Sequence, residues 1–170
     1  MRALVVGGGC RGLDLARGLV AEGHAVRYVT RTEAGRPAIE AAGAECWIGT
    51  PDVIGTLRYA LDNVTLLLWL LGTASEGPGE VEPLHGSRLR MMLEKTTDTT
   101  VRGVIYEAAG TVPAPVLEGG VAEMELAREA NAIPYRLLSA DPRGDREEWL
   151  AQARGAIDSL LAGPRRVGGD

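Results

Sequence analysis

Three glycines near the amino terminus carry the strongest chemical signal in this chain. Gly7, Gly9 and Gly12 give the spacing G-x-G-x-x-G within Val5-Val6-Gly7-Gly8-Gly9-Cys10-Arg11-Gly12. An apolar run precedes them and a helix-period segment comes after, the context in which this spacing cradles phosphate. Gly7 permits a tight turn off a strand. Gly9 lets bare backbone approach a pyrophosphate, and Gly12 lets the next helix pack closely on the sheet. The helix start adds unpaired N–H groups and the positive end of its dipole. A ligand-free strand–helix turn is the competing reading, and the flanking pattern favours a bound dinucleotide over it.

The next residues that bear on such a ligand close the second apolar run, Val29-Thr30-Arg31-Thr32. A carboxylate there would accept from the ribose hydroxyls of NAD, whereas an arginine suits the extra phosphate of NADP. Arg31 therefore favours NADP, with NAD the alternative. Arg11 is placed to approach the same phosphate and Arg36 is a third candidate, although Glu33 lies close by. All three could equally be solvated residues of an arginine-rich chain, which has seventeen arginines and one lysine, Lys95. Cys10 sits beside the expected phosphates, where a helix start can lower a thiol pKa. Packing is its simpler role.

Elements able to position these residues alternate along the chain. Short apolar runs at Ala3–Val6, Ala25–Thr30, Glu45–Ile48, Thr65–Leu71, Arg102–Ala108 and Tyr135–Ser139 read as strands. Between them, helices are expected over Leu13–Ala21, Pro37–Ala42, Thr50 to about Leu61, Leu84–Lys95 and Gly119–Ala132. Asp145 and Glu148 suggest a capping box opening a last helix that buries Trp149, Ala153, Ile157, Leu160 and Leu161. Gly72 to Pro83 reads as the longest loop, a candidate lid. This is the pattern of an α/β fold with a doubly wound parallel sheet, Rossmann-like, of strand order 3-2-1-4-5-6. The expected organisation is one dinucleotide-binding domain over residues 1–163 and a flexible tail at 164–170.

Composition narrows the function classes. The chain has 170 residues, a net charge of −5 spread along its length, and a 45% hydrophobic fraction. Interspersed acidic charge argues against nucleic acid as a partner. Two histidines, His24 and His85, and two distant cysteines, Cys10 and Cys46, indicate neither a metal site nor a disulfide framework. The longest apolar run is far below the ~18 residues of a membrane span. With no signal-peptide core at the start, a cytoplasmic protein is expected.

These motifs together resemble the short-chain dehydrogenase/reductase superfamily in its atypical or extended branch. Gly7–Gly12 resembles its glycine motif, and Val29-Thr30-Arg31 its arginine-bearing second strand. Gly43-Ala44-Glu45 through Asp52 and Leu57 is similar to its stretch leading to the adenine pocket, with Thr50 where Asp is usual. Met124-Glu125-Leu126-Ala127 through Ile133-Pro134-Tyr135-Arg136-Leu137-Leu138 resembles a late helix–strand unit. The resemblance implies a dinucleotide cofactor and, by fold analogy, a homodimer. It also implies a tyrosine with a lysine four residues on, which lowers the phenol pKa. None of Tyr28, Tyr59, Tyr106 or Tyr135 has that lysine. The family's substrate-binding region after the sixth strand is reduced here to one helix. Substrate would then fall to the 72–83 loop, the 109–118 loop or another subunit.

Ligands in open α/β sheets sit beyond the carboxyl ends of the strands. Gly72 and Thr73 belong there as cofactor contacts, together with Gly7, Gly9, Cys10, Arg11, Gly12, Thr30, Arg31 and Thr50. Tyr106 and Glu107 are the candidate proton donors, of which strand alternation would point one into the pocket. The bland readings are a core tyrosine and a glutamate paired with an arginine. Asp141 reads as a turn residue, His24 lies at the wrong end of the sheet, and Trp69 reads as core. An NADP-binding sensor or regulatory subunit is the first reading. A minimal NADP-dependent oxidoreductase using Tyr106 or Glu107 is the second. An assembly module with a vestigial nucleotide site is the third.

Overall fold

A computed structural model describes residues 1–75 and 78–163. Six strands, β1 (Arg2–Gly7), β2 (Ala25–Thr30), β3 (Glu45–Ile48), β4 (Leu66–Leu70), β5 (Gly103–Glu107) and β6 (Tyr135–Leu138), form one parallel sheet. Its order is β3-β2-β1-β4-β5-β6, as the alternating pattern predicts. β1 and β4 are buried along almost their whole length, which is why both read as unbroken apolar runs rather than alternating ones. The sheet's strand register sets Gly7 beside Leu70 and Trp69 beside Tyr106.

Helices cover both faces. Against one face lie α1 (Gly9–Ala21), α2 (Arg36–Ala41) and α6 (Arg146–Leu161), which pack Leu15, Ile39 and Trp149 against Val5, Tyr28, Leu68 and Ile105. Against the other lie α3 (Pro78–His85), α4 (Ser87–Thr96) and α5 (Ala114–Asn131), with Leu84, Met92 and Met124 on Leu4, Leu67, Trp69 and Tyr106. Trp69 is core, its indole N–H donating to Leu84 O at 2.9 Å. Asp145 caps α6 by accepting from the Glu148 amide at 2.8 Å. Among the described residues no helix is long and apolar enough to cross a membrane.

Several local expectations are corrected. The helix expected from Thr50 to Leu61 is two short 3-10 turns, Ile54–Leu57 and Tyr59–Leu61. Its hydroxyls divert the backbone: Thr50 Oγ1 accepts from the Asp52 amide, and Thr56 Oγ1 donates to Val53 O at 2.7 Å. The buried Arg27 also takes the Ala60 carbonyl at 2.6 Å. The expected loop from Gly72 to Pro83 contains the start of α3, and the single helix over Leu84–Lys95 is instead broken at Gly86. α5 begins at Ala114, five residues before Gly119, because Pro115 is tolerated in a first turn where its missing N–H has no partner to lose. Leu161 is 40% exposed rather than buried. The tail expected at 164–170 lies outside the described residues.

Candidate functional site

β1 delivers the chain into the glycine turn. Gly7 and Gly8 both have φ of 84° and Gly9 has 48°, a left-handed run that side chains resist. The Gly8 amide donates to Leu70 O at 2.6 Å, anchoring the turn to β4. α1 then starts at Gly9 without a side-chain cap, and its first turn holds no acidic residue. The amides of Gly9, Cys10 and Arg11 therefore have no acceptor within the helix, and the dipole's positive end faces outward. Beside Gly9 the space a Cβ would fill is open.

Gly12 faces inward. A Cβ there would overlap the Tyr28 hydroxyl, which donates to Gly7 O at 2.5 Å and lies 3.2 Å from Gly9 O. Tyr28 thus braces the turn from beneath. Strand alternation could have placed Tyr28 on the α1 face, yet its hydroxyl's role depends on the depth of the turn. Burial holds its phenol well above the usual range, so it stays a donor.

Three clefts formed by described residues run along the carboxyl edge of the sheet. The first, about 260 Å³, lies between the ends of β1, β2 and β4 and includes Val29, Thr30, Arg31, Gly49 and Pro51. A second, about 350 Å³, lies at the α1 start, with Gly8–Arg11 opposite Pro142 and Arg143. The third, about 340 Å³, is mostly apolar, with Val81, Val112, Pro113 and Val116 in its walls. Thr73 borders the first two, and Ala74 and Ser75 border the first and third.

The residues singled out in the sequence are distributed unevenly over these clefts. Gly7, Thr30, Arg31 and Thr73 line the first, and Gly9, Cys10, Arg11 and Thr73 the second. Arg31 makes an ion pair with Asp52 at 3.6 Å and is half exposed. Arg36 is engaged by Glu33 at 2.6 Å and by Glu40. Arg11 reaches across to the β6–α6 loop, donating to Pro142 O at 3.0 Å and Gly144 O at 2.6 Å. Together with Pro142 and Arg143 it lines the second cleft. Thr50 does not line the first cleft; its hydroxyl donates to Asp52 Oδ2 at 3.0 Å. Asp141 forms a turn by accepting from the Arg143 amide and guanidinium. Gly72 does not present its backbone to a ligand: its amide donates to Glu107 and its carbonyl accepts from Val112.

Neither candidate proton donor lines any of these three clefts. Tyr106 and Glu107 point to opposite faces of β5, and both are fully buried. The Tyr106 hydroxyl lies 2.6 Å from His85 Nδ1, with Leu117 O at 3.3 Å. Among the described residues Glu107 meets no arginine. It accepts from the Gly72 amide at 2.8 Å and the Trp149 indole at 3.1 Å. Burial pushes its carboxyl up to about 7, against the lowering effect of those two donors. His85 and Trp149 were not picked out in the sequence as partners of this pair. Nothing in their spacing marks them, because both contacts cross from one layer to another.

No family model matches the chain, and no curated protein matches it in sequence. Solved structures do match. A short-chain dehydrogenase/reductase superfamily protein from Agrobacterium tumefaciens with bound NAD superposes over 99% of this chain and 64% of its own, with a TM-score of 0.66 and 16% identity. UDP-glucuronic acid 4-epimerase from Bacillus cereus in complex with NAD matches over 83% of this chain and 56% of its own, TM-score 0.66, 14% identity. A UDP-glucose 4-epimerase from Thermotoga maritima with UDP-glucose matches over 81% and 54%, TM-score 0.63, 14% identity. The chain spans about half the length of such epimerases. In architecture it has the α/β fold of short-chain dehydrogenase/reductase and epimerase structures.

Proposed function

We propose that this protein binds NAD(P), with NADP preferred, and acts as a redox sensor or regulatory subunit rather than as a turnover enzyme. The observation that carries the reading is the uncapped start of α1, whose first-turn amides border the second cleft beside the open side of Gly9. The pyrophosphate belongs there, and the adenosine belongs in the first cleft, reached past Thr73. The Agrobacterium and Bacillus neighbours with bound NAD share the fold, which agrees with this reading. Arg31 at the rim of the first cleft supports the preference for a 2′-phosphate. The non-catalytic role is favoured because Tyr106 and Glu107 are buried away from all three clefts. A homodimer in the cytoplasm completes the reading, the dimer by fold analogy.

Isothermal titration with NADP, NADPH, NAD and NADH tests the proposal. We expect NADPH to bind more tightly than NADH. Arg31→Ala should weaken NADPH about ten- to a hundredfold, the scale of a lost charge-assisted contact, and leave NADH within about twofold. Equal losses for both ligands would remove Arg31 from the phosphate site. Absence of binding by all four would leave an assembly module with a vestigial site. NADPH oxidation with a panel of carbonyl compounds, abolished by Tyr106→Phe or Glu107→Gln with binding retained, would restore the oxidoreductase reading. Sedimentation then reports the oligomeric state.

A further inference from the structure

Glu107 of β5 and His85 of α3, the latter held by Tyr106 of β5, grip a single peptide from opposite faces of the sheet. The Leu71–Gly72 peptide leaves the end of β4, and each of its polar groups meets a buried side chain. On the α3 face, His85 Nε2 lies 3.2 Å from Leu71 O. A carbonyl can only accept, so Nε2 carries the ring proton. Nδ1 is then an acceptor, and the Tyr106 hydroxyl donates to it at 2.6 Å. On the α6 face, the Gly72 amide donates to Glu107 Oε2, and the Trp149 indole donates to Oε1. Gly72 is pressed against the β5–α5 connection as well. A Cβ on Gly72 would overlap Ala109 O, and a Cβ on Gly110 would overlap Gly72 O.

The bonding at Glu107 is matched to one protonation state. A carboxylate offers two acceptors to two fixed N–H donors. A carboxylic acid would bring an O–H into the same space, and among the described residues neither oxygen is hydrogen-bonded to an acceptor that could receive it. The protonated oxygen is also a poorer acceptor, so the bond it takes from Gly72 or Trp149 weakens. Directly after Gly72, the chain runs through Thr73, Ala74 and Ser75, the wall shared among the three clefts.

We propose that Glu107 is a positioning residue whose ionised form fixes the Leu71–Gly72 peptide and the Thr73–Ser75 wall, so that dinucleotide binding is coupled to release of the Glu107 proton. The proposal rests on the dinucleotide reading above. Burial raises this carboxyl to about 7, so both forms are populated near neutral pH. Among the described residues, the groups around it, on its own face and across the sheet, add no positive charge. Asp141 on the β6–α6 loop raises it further. Tyr28 on β2 and Tyr106 on β5 are phenols held above their usual range by burial. His85 on α3 is pushed down to about 4 by burial and is neutral, and Trp149 on α6 carries no charge.

Two readouts test this. The first is the Trp149 indole N–H resonance of the ligand-free protein between pH 5.5 and 8.5. It should titrate near pH 7 and become independent of pH in Glu107→Gln. The carboxyl-carbon resonance of Glu107 in the unaltered chain reports the same step should that variant not fold. The second is the dissociation constant of NADH, which lacks the titrating 2′-phosphate. It should be about tenfold larger at pH 6 than at pH 8, one proton per binding event, and change by less than about twofold in Glu107→Gln. An indole and a carboxyl resonance that stay still near pH 7 would overturn the proposal. So would a pH-independent NADH affinity beside a titrating indole. A titrating indole with no NADH bound at any pH would instead remove the dinucleotide reading, and the coupling with it.

Discussion

An alanine at position 12 would set its methyl against the Tyr28 hydroxyl, the group that braces the glycine turn through Gly7 O. Gly12→Ala should therefore cost about 1–3 kcal/mol, the range for a methyl forced into a filled site. Tyr28→Phe removes the obstructing oxygen and also a hydrogen bond worth about 0.5–1.5 kcal/mol net. We expect the double variant to be less damaged than the sum, by about 1 kcal/mol, in urea unfolding. Strict additivity would mean that the helix is held off by the Gly7 carbonyl alone. The sequence spacing announces a close approach at Gly12 without saying what approaches. The same limit applies to Tyr106 and Glu107. Their residue types invite proton transfer, and alternation separates their faces, but only the depth of the layers on both sides reveals that neither meets solvent. Arg11 is similar: its position in the motif is readable, while its carbonyl partners lie more than 130 residues away in the chain.

Among the elements, the central strands β1, β4 and β5 were legible as largely apolar, buried runs, because a buried parallel strand admits little else. The edge strands β3 and β6 are mostly not buried and were read from the alternating pattern around them. The helices were less legible wherever Gly, Pro or Thr punctuates them. α5 is the clearest instance. Gly119 and Gly120 look like a helix start, yet both lie inside a helix that began at Ala114. They differ in what surrounds them. Gly119 is exposed and faces open space, whereas a Cβ on Gly120 would overlap the Tyr106 hydroxyl. Gly119→Ala should stabilise the protein by about 0.5–1 kcal/mol through helix propensity. Gly120→Ala should destabilise it by about 1–3 kcal/mol and disturb the Tyr106–His85 contact. Thermal unfolding of the two variants would decide, and a stabilising Gly120→Ala would show that α5 can shift away from β5 at little cost. The 50–61 segment failed for a different reason. Its capping signals, Thr50 and Pro51, are real, but the Thr50 and Thr56 hydroxyls satisfy backbone groups locally and the turn never propagates.

Across the whole molecule, the two buried titratable groups that clamp β4 pull stability in opposite directions with pH. Glu107 rises from a usual 4.5 to about 7 on folding, so between those values the folded chain holds a proton that the unfolded chain gives up. Its contribution is complete below about pH 4.5 and is lost as pH rises through 7. His85 falls from 6.5 to about 4, so its contribution is complete above pH 6.5 and is lost as pH falls through 4. Between about pH 5 and 6.5 the slopes oppose, and the protein should show little pH dependence of stability there. The ion-paired surface carboxyls of Asp14, Glu33, Glu125 and Asp141 are all lowered, so they act below this window. Glu107→Gln should unmask His85 alone, and stability should then rise with pH by up to about 1.4 kcal/mol per unit. His85→Asn should tilt the curve the other way. Urea unfolding at several pH values across the window measures all three slopes. If the three proteins gave one common slope, proton binding at Glu107 and His85 would not be linked to folding. The opposed clamps on the Leu71–Gly72 peptide would then be held by packing alone.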